Sequence, residues 1–235
     1  MNFSKNTKIL VLAAHPDDEV LGCGGTLAIA LKKKARVKII FFGEGVTARY
    51  QPGKENSDDA LKAINVREDE ARKALKILKI KDYKFGDKHS TKFDKYSLAT
   101  FTKEIEHVIE KFEPDIIFTH SSRDLNIDHV IIHKASMIAC RPGARYCVKQ
   151  IYSFEVPCSS NWIFEDKFNP NFYVDISNTI HIKQSSFSQY KNENRSFPFP
   201  RSKVGIDTLA KYRGMQSGLK FAEAFKLERA VQKIS

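Results

Sequence analysis

Short apolar, β-branched runs alternate along this chain with longer segments whose apolar positions recur at helical spacing. Thr7 to Ala14 reads as a buried strand, and Val20 to Lys34 as a helix with Val20, Cys23, Leu27 and Leu31 on one face. Val37 to Phe42 is a second strand, followed by a polar, breaker-rich loop from Gly43 to about Asp59. An amphipathic helix is predicted from Val66 to Lys79, a short strand from Tyr83 to Gly86, and a helix from Leu98 to Phe112. Asp115 to Thr119 is a strand ending at His120. A polar loop then leads to a helix from Asp128 to Cys140. Val148 to Glu155 and Phe172 to Ile176 read as later strands, and Ser202 to Val231 as one or two helices.

Strands alternating with helices imply an α/β chain, a mainly parallel sheet covered on both faces. Ligands in such sheets sit beyond the carboxyl ends of the strands. His15, Glu44, Asp87, His120 and Glu155 all fall at or just after predicted strand ends, so one rim collects polar chemistry. The 235 residues contain no long linker, and a single domain over residues 1–235 is expected.

Composition excludes some classes. No apolar run approaches the length of a membrane span, and the N-terminus lacks the apolar core of a signal peptide, so a cytoplasmic protein is expected. Cys23, Cys140, Cys147 and Cys158 form no C-x-x-C pair and read as free thiols. The net charge of +11 is scattered apart from Lys32-Lys33-Lys34. It favours attraction of an anionic, phosphate-bearing small substrate over a nucleic acid.

The densest chemistry is His15-Pro16-Asp17-Asp18-Glu19, at the end of the first strand. Charge is costly there unless something pairs with it, and imidazole plus carboxylate suits Zn²⁺. A catalytic zinc typically takes three protein ligands and keeps one position for water. His15 and Asp18 can supply two, leaving Asp17 to act on the water. His129, beside Asp128 at a helix start, is the best candidate for the third. Taken alone, Asp128 reads as a helix cap and His129 as a first-turn surface residue.

The His15-to-Glu19 stretch and its glycine-rich continuation resemble the signature of the LmbE-like (PIG-L) zinc-dependent N-deacetylases. Asp124-Leu125-Asn126-Ile127-Asp128-His129 resembles that family's second metal motif. Arg67-x-x-Glu70-x-x-x-Ala74-x-x-Leu78, Asp87 and Ala222-Glu223-Ala224-Phe225 continue the likeness along nearly the whole chain. The resemblance implies a Rossmann-like three-layer sandwich and removal of acetyl from an N-acetylated amino sugar. By position it makes His15, Asp18 and His129 the zinc ligands and Asp17 the general base, while Glu19 is either a support behind them or a helix-start carboxylate that favours the N-terminus. The sugar, which the resemblance associates with surface polysaccharide, is left open as free, nucleotide-linked or lipid-linked, and oligomeric state is left open too.

One position departs from the pattern. Many members carry a histidine at Asn126, thought to help at the oxyanion. An asparagine donates a hydrogen bond but carries no charge. Asn126 itself, His120 or His133 would fill that role, His120 being preferred to His133. Arg49 matches a family position near the sugar, and Glu44 lies on the same rim. Arg195 and Arg201 flank Phe197-Pro198-Phe199-Pro200, a lid or rim suited to phosphate. Trp162 is read as either a sugar-stacking or a core residue. The competing reading is a metal- or sugar-binding protein of the same fold without turnover.

Overall fold

The protein was examined as a computed structural model, which describes residues 1–232. Its first half follows the predicted alternation: β1 (Lys8–Ala13), α1 (Asp18–Lys32), β2 (Arg36–Phe41), α2 (Asp58–Leu78), β3 (Asp82–Lys84), α3 (Leu98–Phe112), β4 (Ile116–His120) and α4 (Ile127–Ala139). Then come β5 (Gln150–Phe154), β6 (Phe172–Asp175), α5 (Ile180–Phe187), α6 (Lys203–Ser217) and β7 (Ala222–Ala230). The strands form one seven-stranded sheet in the order β3-β2-β1-β4-β5-β7-β6. The first five of these run parallel, whereas β7 lies antiparallel to both β5 and β6.

Alternation along β1 sorts the core. Ile9, Val11 and Ala13 face α1, α2, α5 and α6, whereas Leu10, Leu12 and Ala14 face α3 and α4. Helices on both faces leave the sheet's carboxyl end as the open rim, so the expected three-layer α/β sandwich is the observed one.

Three segments differ from the sequence reading. α2 begins at Asp58 rather than Val66, because Ser57 caps it by accepting the Ala60 N–H at 3.3 Å and acidic Asp58 and Asp59 open its first turn. Those first turns stand largely exposed, so no apolar stripe announces them. The tail, expected to be all helical, is helical only as far as Ser217. Ala222–Ala230 is a strand because the slot between β5 and β6 supplies its hydrogen bonds, overriding a composition rich in helix formers. α5 occupies a segment where the pattern announced no element.

The strand β7 also completes α1. Glu223 accepts the backbone N–H of Gly25 at 2.8 Å and of Thr26 at 2.7 Å, and buried Lys183 donates to the Leu21 carbonyl and to Glu223. These are groups that an uninterrupted helix pairs four residues apart. A buried ion pair from α5 and β7 thus stands inside the turn of α1 that carries its glycines.

Candidate metal and catalytic site

β1 stays apolar to its end and delivers the chain into the turn His15–Asp18, ahead of α1. Asp18 Oδ2 accepts the His15 N–H at 2.8 Å, so one oxygen of that carboxylate braces the turn. Asp17 sits at φ 120°, a region costing a non-glycine residue about 1–3 kcal/mol. It is held there by its N–H donating to Glu19 Oε2 at 3.0 Å and by Arg67 donating to the Pro16 carbonyl at 2.9 Å. Gly45, at φ +77°, lets the β2 loop pass His15, since a Cβ there would lie 3.1 Å from the His15 Cβ. Glu19 is fully buried and accepts the Tyr190 hydroxyl at 2.6 Å. Burial pushes its carboxyl up to about 8, against the pull of that hydrogen bond.

His15, Asp18 and His129 converge, with one ligand atom from each lying within 4.8 Å of the others. His15 Nδ1 is 3.7 Å from Asp18 Oδ2, and His129 Nε2 is 3.5 Å from Asp18 Oδ1. Asp18 Oδ1 and His129 Nε2 are buried and have no hydrogen-bond partner among the described residues. Leaving such atoms unpaired is costly. Two ligands bonded to a tetrahedral ion at about 2.0 Å stand about 3.3 Å apart, close to the observed spacing. The donor set therefore fits a divalent metal.

Both imidazoles have a carboxylate behind them. His15 Nε2 is 2.8 Å from Asp128 Oδ2, and Asp128 also accepts the Thr91 and Phe93 N–H groups. His129 Nδ1 is 3.1 Å from Asp124 Oδ2, which accepts the Ser160 hydroxyl at 2.8 Å. A carboxylate beside one ring nitrogen favours the tautomer whose other nitrogen carries the lone pair. Asp128 is thus more than the helix cap it resembled. The cap is Asn126, whose Oδ1 accepts the Asp128 N–H at 3.0 Å.

Asp17 is 2% exposed and lies 3.1 Å from Arg201 Nη1 and 3.5 Å from Arg67 Nη1. Burial pushes its carboxyl up to about 7. Arg201 and Arg67 pull it down, and neighbouring Asp18 pushes it up. A carboxyl poised there can both take and return a proton near neutral pH. Buried Glu193 ties the arginines together, pairing with Arg49 and Arg67 and, at 3.1 Å, with Arg201. Arg201 is also anchored by donating from Nε to the Pro157 carbonyl at 3.1 Å.

Other expected residues fall elsewhere. His120 is wholly buried, stacked on His129 at 4.0 Å, and its Nε2 accepts the Ala14 N–H at 2.8 Å. Burial and the imidazoles around it push its pKa well down, and its contact with the Ala14 backbone braces the end of β1. Glu44 does not reach out for substrate. It is buried, and both its oxygens are engaged by Val46, Thr47 and Ser90. His133, on α4, donates from Nδ1 to the His120 carbonyl at the end of β4 at 2.9 Å. Arg49 and Arg201 meet at Glu193, but Arg195 stays exposed over the Phe199 ring. Trp162 is no core residue, being 47% exposed. Sequence reasoning missed Glu193, which lies 126 and 144 positions from its partners Arg67 and Arg49 in an unremarkable polar segment.

The chain is 26% identical over 198 residues to YaiS, an uncharacterised deacetylase of Escherichia coli K12, covering 80% of this chain and 93% of that one. N,N'-diacetylchitobiose deacetylase from Pyrococcus horikoshii superposes with TM-score 0.77 at 17% identity, covering 94% of this chain and 83% of that one. GalB, the 4-carboxy-2-hydroxymuconate hydratase of Pseudomonas putida KT2440, superposes with TM-score 0.73 at 19% identity, covering 97% and 100%. At such identities the two structures share the fold, and a fold alone does not fix the reaction. The sequence profile of the family described as GlcNAc-PI de-N-acetylase matches residues 10–140, more than half of the chain and the part that contains His15, Asp18 and His129. The chain therefore belongs to the PIG-L, or LmbE-like, family.

Proposed function

We propose that this protein is a zinc-dependent hydrolase that removes acetyl from an N-acetylated amino sugar. The observation that carries this reading is the pair of unpartnered buried atoms, Asp18 Oδ1 and His129 Nε2, facing the lone pair of His15 beside a carboxyl poised near neutrality. Zinc held by His15, Asp18 and His129 would supply a Lewis acid and a water whose pKa falls to roughly 7. Asp17 is the base that takes the proton from the attacking water and returns it to the leaving amine. Arg67 and Arg201 hold its carboxylate and place fixed positive charge where negative charge builds up on the acetamide oxygen. Asn126, half-buried at the start of α4, is a neutral donor at the same rim.

The names of the family and of the Pyrococcus enzyme support an amino-sugar substrate. Arg49, Arg195 and Arg201 suit a phosphate-bearing one, of the kind used to build surface polysaccharide. Asp17→Asn is expected to keep stoichiometric zinc and lose about 10²–10⁴-fold in acetate release. Metal analysis and an acetate assay on the same sample check both halves. Near-normal turnover would show that Asp17 is not the base. The absence of a titrating imidazole at Asn126, with His120 locked in the core, favours the binding-only alternative. A zinc-loaded sample inert toward N-acetyl sugars and their nucleotide conjugates would decide for it.

A further inference from the structure

The rim beside Asp17 carries a cluster of exposed aromatic side chains. Phe164 is 82% exposed, Phe197 62%, Leu125 58% and Trp162 47%. They belong to one patch. The Trp162 and Phe199 rings meet edge to face at 5.8 Å, and the Leu125 N–H donates to the Ser159 carbonyl in the Trp162 loop at 3.4 Å. Phe164 and Phe197 lie two residues from Trp162 and Phe199, and two residues span at most about 7 Å. The patch is fastened to the site through Arg201, which touches Asp17 from one end and Pro157, where the aromatic loop begins, from its Nε.

Charge surrounds the patch unevenly. In the 191–203 segment Lys191, Arg195 and Lys203 are exposed, while the one acid, Glu193, is turned inward onto arginines. On the other loop Asp166 lies 3.6 Å from Arg123 Nη1, and Glu165 is offset by Lys167. Contiguous exposed apolar surface on a protein marks a contact surface. Aromatic rings bordered by lysine and arginine are the composition that settles at a membrane interface and is drawn to acidic lipid. A second copy of this chain would bring like charges together instead.

We propose that this rim docks on an anionic lipid bilayer, with the mouth of the metal site facing the headgroups. No helix among the described residues is long and apolar enough to cross a membrane. Docking itself is independent of the proposed reaction. Its consequence for substrate, an N-acetylated sugar presented on a lipid carrier, rests on the deacetylase reading.

Trp162 is the sole tryptophan of the chain and reports from inside the patch. The full-length protein is titrated with vesicles of phosphatidylcholine alone or mixed with phosphatidylglycerol, reading co-sedimentation and tryptophan emission. The expected result is a blue shift and binding about tenfold or more tighter to the acidic vesicles, weakened by salt. The double variant Phe164→Ser, Phe197→Ser is expected to lose the binding with an unchanged melting temperature. Absence of both signals with acidic vesicles overturns the proposal. So does undiminished binding by the double variant, or a dimer in solution that the double variant dissolves, which would assign the patch to a second copy. Vesicle binding without acetate release from any N-acetyl sugar would leave docking standing and remove the deacetylase reading alone.

Discussion

Asp18 divides its labour between two oxygens: one ties the turn to the His15 backbone and the other is buried without a hydrogen-bond partner among the described residues. The carboxylates behind the imidazoles are equally particular. Asp124→Asn and Asp128→Asn are each expected to weaken zinc affinity about 10–100-fold while leaving one metal per chain at saturation, measured by competition with a chelating dye. Glu193 gives a pH signature. Burial opposes its ionisation, but Arg67, Arg49 and Arg201 prevail and hold its carboxyl at about 2, below the ordinary 4.5. Its contribution to stability is therefore complete above about pH 4.5 and disappears as pH falls through about 2. Denaturation of Glu193→Gln across that window is expected to show a shallower acid loss than the parent, and parallel curves would refute the assignment. The convergence of His15, Asp18 and His129 was legible in sequence because they sit in two compact motifs. Glu193 was not, because its meaning is set by arginines brought to it only by the fold.

At the scale of elements, α1 is shaped for what packs on it. A Cβ at Gly22 would come within 2.3 Å of the Phe154 ring, which in turn lies 4.8 Å from His120. Gly22→Ala is expected to cost about 1–3 kcal/mol in denaturant titrations, through the displaced ring. A change under about 0.5 kcal/mol would mean that Phe154 has room to move. The parallel strands β1, β2, β4 and β5 could be read from their apolar runs because they are largely buried between the helix layers. β7 could not: Ala-Glu-Ala-Phe-Lys-Leu-Glu-Arg-Ala is written in helix-forming residues, and only its neighbours β5 and β6 make it a strand. Glu223 was noticed as part of a motif, yet its task inside α1 needs partners from two other elements.

For the molecule as a whole, the proposed metal would link chain segments more than a hundred residues apart, since His15 and Asp18 come from the first turn and His129 from α4. An ion that binds only the folded chain stabilises it by mass action, about 2.7 kcal/mol at a hundredfold excess over Kd. Chelation is accordingly expected to lower the melting temperature by about 5–10 °C, and readdition of zinc to restore it. Equal melting with and without chelator would argue against the site. The overall architecture was legible from alternation alone, save at the sheet's far edge where the direction reverses. That edge has a consequence for biosynthesis. Gly25 and Thr26 leave the ribosome early, but the carboxylate that accepts their amide protons is encoded at position 223. A chain truncated ahead of that residue would carry His15, Asp18 and His129 and still lack the acceptor for two amide groups of its first helix.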